Sequence, residues 1–174
     1  DGERSSALDY RITRADLSRL ETVIGAGYAG RVVTTGRLTG PLDRMRFTGS
    51  GTLAQVSAAG ITARSGTATY DVVIPSDAPS QATGTLTTSL ADVTAAGQAL
   101  PEASADVRYD AGRVIASLGG TLRSGVAVSA QSELTLDVAA QTAQFQTLGL
   151  AFGRNAWRLA GGTAPVIGWT TAGV

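Results

Sequence analysis

The 174-residue chain contains no cysteine, no histidine and no lysine; its fourteen basic residues are all arginine. Each absence removes chemistry. Without cysteine there is no thiol nucleophile and no disulfide; without histidine there is no imidazole base and no serine triad. Most transition-metal ligand sets go with them, and without lysine a Ser–Lys dyad goes as well. Aromatic residues make up only 5% of the chain. Its formal net charge is zero, so nothing in the balance attracts a nucleic acid. No stretch approaches the roughly 20 apolar residues that cross a bilayer as a helix. A cysteine-free chain suits cytosol and periplasm alike. The all-arginine usage, with Asn155 as the single asparagine, reads as the bias of a GC-rich genome. The opening "DGERSSALDY" has neither an initiating Met nor a signal peptide, and the chain is expected to be an internal piece of a longer protein.

What remains is small and β-compatible. Glycine is abundant, at 22 residues, and Ala, Thr, Ser and Val fill much of the rest, which points to an all-β chain. The clearest signal is "GVAVSAQSELTLDVAAQ", residues 125–141. Even positions Val126, Val128, Ala130, Ser132, Leu134, Leu136 and Val138 are mostly apolar; Gln131, Glu133, Thr135 and Asp137 alternate with them. This period-two pattern predicts an unusually long strand with one apolar and one wet face. Similar alternation runs through Val32, Thr34 and Leu38, then Ala68, Tyr70, Val72 and Ile74, then Leu148, Leu150 and Phe152. Turns are expected at "PSDAPS" after Pro75, at Asp110-Ala111-Gly112 between Val107/Tyr109 and Val114/Ala116/Leu118, and at Gly153-Arg154-Asn155. Weak repetition is present: Val56-Ser57-Ala58-Ala59-Gly60 matches Val93-Thr94-Ala95-Ala96-Gly97 at a shift of about 37, and Thr69-Tyr70-Asp71 matches Arg108-Tyr109-Asp110 at about 39.

One segment predicts a helix. Thr13 with Asp16 three residues later resembles a capping box, Leu17, Leu20, Val23 and Ile24 recur at helical spacing, and Gly25 or Gly27 ends the run. The expectation is a short amphipathic helix near 14–24 in a lead-in over residues 1–30, followed by strands over 31–174.

No catalytic constellation emerges. Asp71, Asp106 and Asp110 fall at polar strand positions or turns and read as solvated surface, not as a cleft carboxylate pair. "GAGYAG" (25–30) imitates a dinucleotide fingerprint but follows a helix and opens a strand, the reverse of what that motif needs. No Asp-rich calcium loop is present, and no metal or cofactor is expected. Asp43, Arg44 and Arg46 form a charged turn. Trp157 and Trp169, beside Phe145 and Phe152, either seal the sheet end or touch an apolar ligand.

A long one-sided strand must bury its apolar face. A second sheet, a closed barrel or a curved sheet holding an apolar guest are the three solutions. The scarcity of bulky aromatics favours a lined groove over a plugged core.

Three stretches carry a family resemblance: "ADLSRLETVIG", "AGRVVTTGRLTGPLDRMRFTGSGTL" and "LGLAFGRNAWRLAGGTAPVIGWT". Asp16-Leu17-Ser18-Arg19-Leu20, then Gly36-Arg37-Leu38-Thr39-Gly40-Pro41-Leu42, and finally Trp157-Arg158-Leu159 with Val166-Ile167-Gly168-Trp169, resemble the TamB and AsmA-like proteins of diderm bacteria. The chain departs from that pattern where Met45 stands near an expected proline. The resemblance implies a β-taco: a long curved antiparallel sheet forming an open groove, all of residues 1–174 being one segment of a much longer protein anchored in the inner membrane by a segment absent from this chain. It implies a periplasmic location, phospholipid or another apolar ligand in the groove, a role in outer-membrane biogenesis and an outer-membrane barrel partner of the TamA type; no catalytic residue is implied. The groove lining expected from the alternation comprises Leu38, Leu53, Val56, Tyr70, Val72, Ile74, Leu86, Val107, Tyr109, Val114, Leu118, Val126, Val128, Leu134, Leu136, Val138, Leu148, Leu150, Phe152, Trp157 and Leu159. Acyl chains sheltered there would gain about 0.8 kcal/mol per buried CH₂. The alternative is a structural or adhesive β-solenoid of a secreted or autotransported surface protein, with a closed dry core.

Overall fold

A computed structural model describes residues 6–20, 27–58, 60–162 and 164–168. They form one open antiparallel sheet of eleven strands, not closed into a barrel. In chain order these are β1 (Ser6–Asp16), β2 (Ala29–Gly40), β3 (Arg44–Ala58), β4 (Ile61–Pro75), β5 (Thr83–Ala95), β6 (Gln98–Asp110), β7 (Arg113–Thr121), β8 (Ala127–Asp137), β9 (Thr142–Phe152), β10 (Asn155–Arg158) and β11 (Val166–Gly168). Strands β1 to β10 lie side by side in sequence order, and β11 returns to the outer edge of β9. From β2 to β10 the result is a plain meander, in which each strand pairs with the one before it.

Local chemistry explains the meander. The β5–β6 turn is Ala96-Gly97 and the β6–β7 turn is Ala111-Gly112, with positive φ at all four residues (48°, 74°, 46° and 93°). That is the two-residue turn whose twist suits a hairpin. The β6–β7 hairpin, the Gly153-Arg154 turn and the loop after Pro75 fall where the alternation predicts them. The segment Pro79–Gln81 adds one 3₁₀ turn inside that loop.

The lead-in differs from expectation. Residues 14–16 belong to β1, and Leu17–Leu20 form a 3₁₀ turn instead of the first turns of an α-helix; residues 21–24 lie outside the described residues. Asp16 does not act as the third residue of a box begun at Thr13. Its Oδ1 accepts from the backbone N–H of Ser18 at 3.1 Å and from the Ser18 hydroxyl at 2.7 Å, so Asp16 itself starts the turn. These bonds hold its carboxyl below the ordinary value of 3.8. Strands therefore begin well before residue 31, because Leu8, Tyr10 and Ile12 alternate against Leu38, Gly36 and Thr34 of β2.

The long ribbon is β8. Its even residues Val128 to Leu136 are half-buried, and its odd residues are exposed except Glu133. Val126 precedes the strand. Val138 falls in the turn beyond it, 71% exposed, because β8 ends when Asp137 turns its carboxylate back to accept from the N–H of Ala140 at 2.8 Å.

Candidate functional site: the apolar face of the sheet

Residues directly opposite in an antiparallel ladder share a face, so the register alone sorts the side chains. One row across the sheet reads Leu8, Leu38, Phe47, Val72, Gly84, Tyr109, Val114, Leu134, Phe145. The next reads Tyr10, Gly36, Gly49, Tyr70, Leu86, Val107, Ala116, Ser132, Leu148. A third reads Ile12, Thr34, Gly51, Ala68, Thr88, Ala105, Leu118, Ala130, Leu150, Trp157, and a fourth Val32, Leu53, Gly66, Leu90, Ala103, Gly120, Val128, Phe152. Ile74 lies beyond the first row opposite Met45, and Leu136 opposite Ala143. The expected lining residues within these strands thus occupy one face. Leu159, just past β10, is held to β9 by its N–H donating to the Leu148 carbonyl at 2.8 Å. Trp169 lies outside the described residues.

The opposite face is polar and laced with ion pairs: Arg37–Asp9 and Arg113–Glu133 at 2.8 Å, Arg64–Asp92 at 3.3 Å, and Arg46 Nε donating to Asp71 Oδ1 at 2.8 Å. These arginines hold Asp9 and Asp71 below the usual carboxylate range, chiefly through the hydrogen bonds they donate. Asp106 accepts from the Thr87 hydroxyl at 2.8 Å. A depression of about 790 Å³ lies on this polar side, a trough between small residues such as Ser65, Thr67, Ser89, Ala91 and Ser104. Among the described residues no three carboxylates gather to hold a metal ion.

The apolar face is a single uncovered layer. Only Ala63, Val93, Leu100 and Leu122 are buried among the described hydrophobics. Leu86, Leu118, Leu150 and Phe152 are exposed, and Trp157 is 54% exposed beside Leu150. The face is also smoothed. Several glycines on it lie beneath a large neighbour: a Cβ at Gly36 would meet the Tyr10 hydroxyl at 2.5 Å, one at Gly49 the Tyr70 hydroxyl at 2.5 Å, one at Gly66 a Leu90 methyl at 2.5 Å, and one at Gly120 a Leu100 methyl at 2.7 Å. Big side chains lie flat over glycines instead of standing up.

Polar groups on this face are satisfied internally. Tyr10 and Tyr70 reach toward each other over Gly36 and Gly49 until their hydroxyls meet at 2.6 Å, and the Tyr70 hydroxyl sits 2.7 Å from Thr34 Oγ1. Thr34 donates to the Ser50 carbonyl at 3.0 Å, which sets the direction of the chain: Tyr10 donates to Tyr70, and Tyr70 to Thr34. Every hydroxyl hydrogen is used within the cluster. Burial, then the bond to Tyr70, pushes the Tyr10 phenol up to about 12.

Sequence reasoning missed one feature that shapes this face. Rows beyond Leu53 should continue at Gln55, yet the next inward residues are Val56, Ala63, Val93 and Leu100. On β3, β4, β5 and β6 two exposed residues intervene: Ala54-Gln55, Arg64-Ser65, Asp92 with the half-buried Ala91, and Pro101-Glu102. Each of these four strands carries one extra residue at the same level. Gln55 and Asp92 take positive φ there, at 54° and 52°, and the register against unbulged β2 slips between Ala29 and Arg31. Leu100 meeting the Cβ position of Gly120, on the same side as Ala103, fixes the change of phase. The whole buried cluster lies beyond this seam. Outside it, Arg31 donates to Gln55 at 3.0 Å and Arg64 pairs with Asp92. Pro101, in a central strand, is the signal that marks it, since proline tolerates such a position only at a bulge.

No protein-family model, curated protein or solved structure matches this chain.

Proposed function

We propose that this chain is a lipid-sheltering segment: an open sheet whose apolar face receives phospholipid acyl chains while head groups stay in water along its open sides. The observation that carries the reading is the uncovered apolar face running through ten consecutive strands, with four buried hydrophobics among the described residues. A contiguous exposed apolar surface of this extent marks a binding surface. Its flattened relief suits linear, flexible chains, which need continuous contact and no shaped pocket. The self-satisfied Tyr10–Tyr70–Thr34 chain leaves no hydroxyl hydrogen that would hold a passing group. The reading asks for no reacting residue.

By the resemblance of its motifs, the segment belongs to a TamB- or AsmA-like bridge in the periplasm of a diderm bacterium, with a TamA-type barrel as partner in outer-membrane biogenesis. No helix among the described residues is long and apolar enough to cross a membrane; in this proposal the anchor is supplied by a part of the protein outside this chain. The alternative of a β-solenoid with a dry core is less favoured, because the meander neither coils nor fills an interior.

Mass spectrometry of co-purifying lipid, with photo-crosslinking from Leu134, Leu136 and Leu150, tests the proposal. Stoichiometric phospholipid crosslinked from this face, and none from Gln131 or Thr135 on the other, is the expected result. Lipid-free protein with those positions uncrosslinked overturns it.

A further inference from the structure

The two ends of the strands are built differently. At one end lies the seam. Its doublets on β3 to β6 put two successive side chains on the polar side. That lengthens each strand on the polar side and bends it toward the apolar one. The packing agrees: Ala63, Val93, Leu100 and Leu122 lie beyond the bend, and Leu90 and Ala103 of the row before it pack against them. The strip past the seam thus folds back onto the fourth row and closes the apolar face on that side. At the other end no described hydrophobic residue is buried, and the turns present Leu42 and Val138 at 85% and 71% exposure.

The open end is a continuous rim. Backbone bonds stitch each reversal to the next: Ser76 N–H donates to the Asp43 carbonyl at 2.8 Å, Ala111 N–H to the Ala82 carbonyl at 3.0 Å, and Leu136 N–H to the Gly112 carbonyl at 2.7 Å. Each of the four reversals brings one aspartate: Asp43, Asp77, Asp110 and Asp137. Successive ones stand two strands apart, about 10 Å, too far to share an ion and close enough to act as one field. Asp137 accepts from the Ala140 N–H, which leaves its charge in place. Arg44 and Arg113 stand on the rim as well, but Arg113 is held by Glu133 at 2.8 Å. The four reversals at the seam end carry no carboxylate, and two of them bring Arg123 and Arg154.

A lipid held by its tails on the apolar face must place its head group over the side that is open. An anionic head group is repelled by an acidic rim. A zwitterionic one that ends in an ammonium sets its cation outermost, against the carboxylates. We infer that head groups leave the face on one side only, over the rim of Asp43, Asp77, Asp110 and Asp137, and that this rim selects zwitterionic over anionic phospholipid. The inference rests on the lipid-sheltering reading and adds a side and a lipid class to it.

Vesicles of phosphatidylethanolamine and phosphatidylglycerol in equal amounts test it, with the lipid bound to the re-isolated chain measured by mass spectrometry. The wild type is expected to favour phosphatidylethanolamine about threefold, the worth of one exposed ion pair. The preference should vanish in about 1 M salt. Asp43→Lys with Asp77→Lys, both in exposed turns, should abolish or invert it with native circular dichroism. Ser124→Lys, a cation added at the seam end, should leave it unchanged. The salt series needs no variant and decides if the double variant fails to fold. Photo-crosslinking residues at Leu42 and Val138 are expected to label head-group atoms, and ones at Gln98 and Ser124 none. Lipid bound without preference, or with a preference that salt does not move, overturns the selection. Head groups labelled from Gln98 and Ser124 overturn the single open side. A chain that binds neither lipid overturns the lipid-sheltering reading itself, and this inference with it.

Discussion

At the scale of single residues, the molecule stores its specificity in glycines and hydroxyls more than in bulk. Gly49 is the sharpest case. A methyl there would meet the Thr35 carbonyl at 2.6 Å as well as the Tyr70 hydroxyl, and the backbone cannot yield. Gly49→Ala is therefore expected to cost about 1–3 kcal/mol and to release both tyrosines, visible as a changed tyrosine absorbance. Tyr10→Phe removes one hydrogen bond and should cost about 1 kcal/mol. The raised Tyr10 phenol also sets a pH window. An unfolded tyrosine ionises near 10, and Tyr10 in the fold at about 12; its contribution is fully present below pH 10 and is lost as pH rises from 10 to 12. Denaturant melts should show this alkaline loss in the wild type and a shallower one in Tyr10→Phe. The lowered Asp71 carboxyl works in the other direction. Its contribution is present above 3.8 and lost as pH falls below that value, and Asp71→Asn should blunt the acid end of the profile. Ala111 sits at a left-handed φ of 46° that alanine adopts reluctantly. Ala111→Asn should add about 0.5–1 kcal/mol of stability.

At the scale of elements, alternation made most strands and three of the turns readable before any coordinates, because a half-buried strand writes its two faces directly into the sequence. The Val-x-Ala-Ala-Gly repeat has a structural meaning: in both copies it is the seam residue's successor, Val56 or Val93, followed by a hairpin turn. The Tyr-Asp repeat has none, since Tyr70 lies opposite Leu86 and, through it, Val107, one row away from Tyr109. The lead-in misled because Leu17 and Leu20 satisfy helical spacing while Leu8, Tyr10 and Ile12, five residues earlier, satisfy strand spacing, and pairing with β2 decided between them. The seam stayed hidden because a strand's extra residue looks, in one strand, like ordinary irregularity; its alignment over four strands exists only in the register. The seam also predicts a division of labour. Leu100→Ala, within the cluster of buried residues beyond the seam, should cost about 2–5 kcal/mol.

At the scale of the whole molecule, one sheet has two kinds of apolar position. Val93 is buried at 4% and Leu150 is 45% exposed. Val93→Asp buries an unpaired charge and should unfold the chain or drop its melting temperature sharply. Leu150→Asp, on the open part of the face, should melt close to wild type yet reduce lipid crosslinking from Ala130 opposite it and from Leu148 beside it on the same face. If Leu150→Asp unfolds the chain as thoroughly as Val93→Asp, the face is filled in solution and the lipid proposal fails. The apolar lining was legible because it follows from alternation alone. That nothing covers it was not, because one strand's pattern is the same whether a second layer or open space faces it.

The aligned extra residues bear on how such a gene can change length. Deleting Gln55 alone would leave Val56 on the inner side with Leu53 but make β3 one residue shorter than β4 at this level, as β2 already is against β3. Val56 would keep Ala63 opposite it only if β4 took up its extra residue as an ordinary bulge. A single-codon loss in β3 therefore moves the slip in register one strand inward, whereas a loss in β4 or β5 alone leaves neighbours with the extra residue on both sides and creates two slips at once. The line should accept a deletion at Gln55 far more readily than one at Arg64 or Asp92.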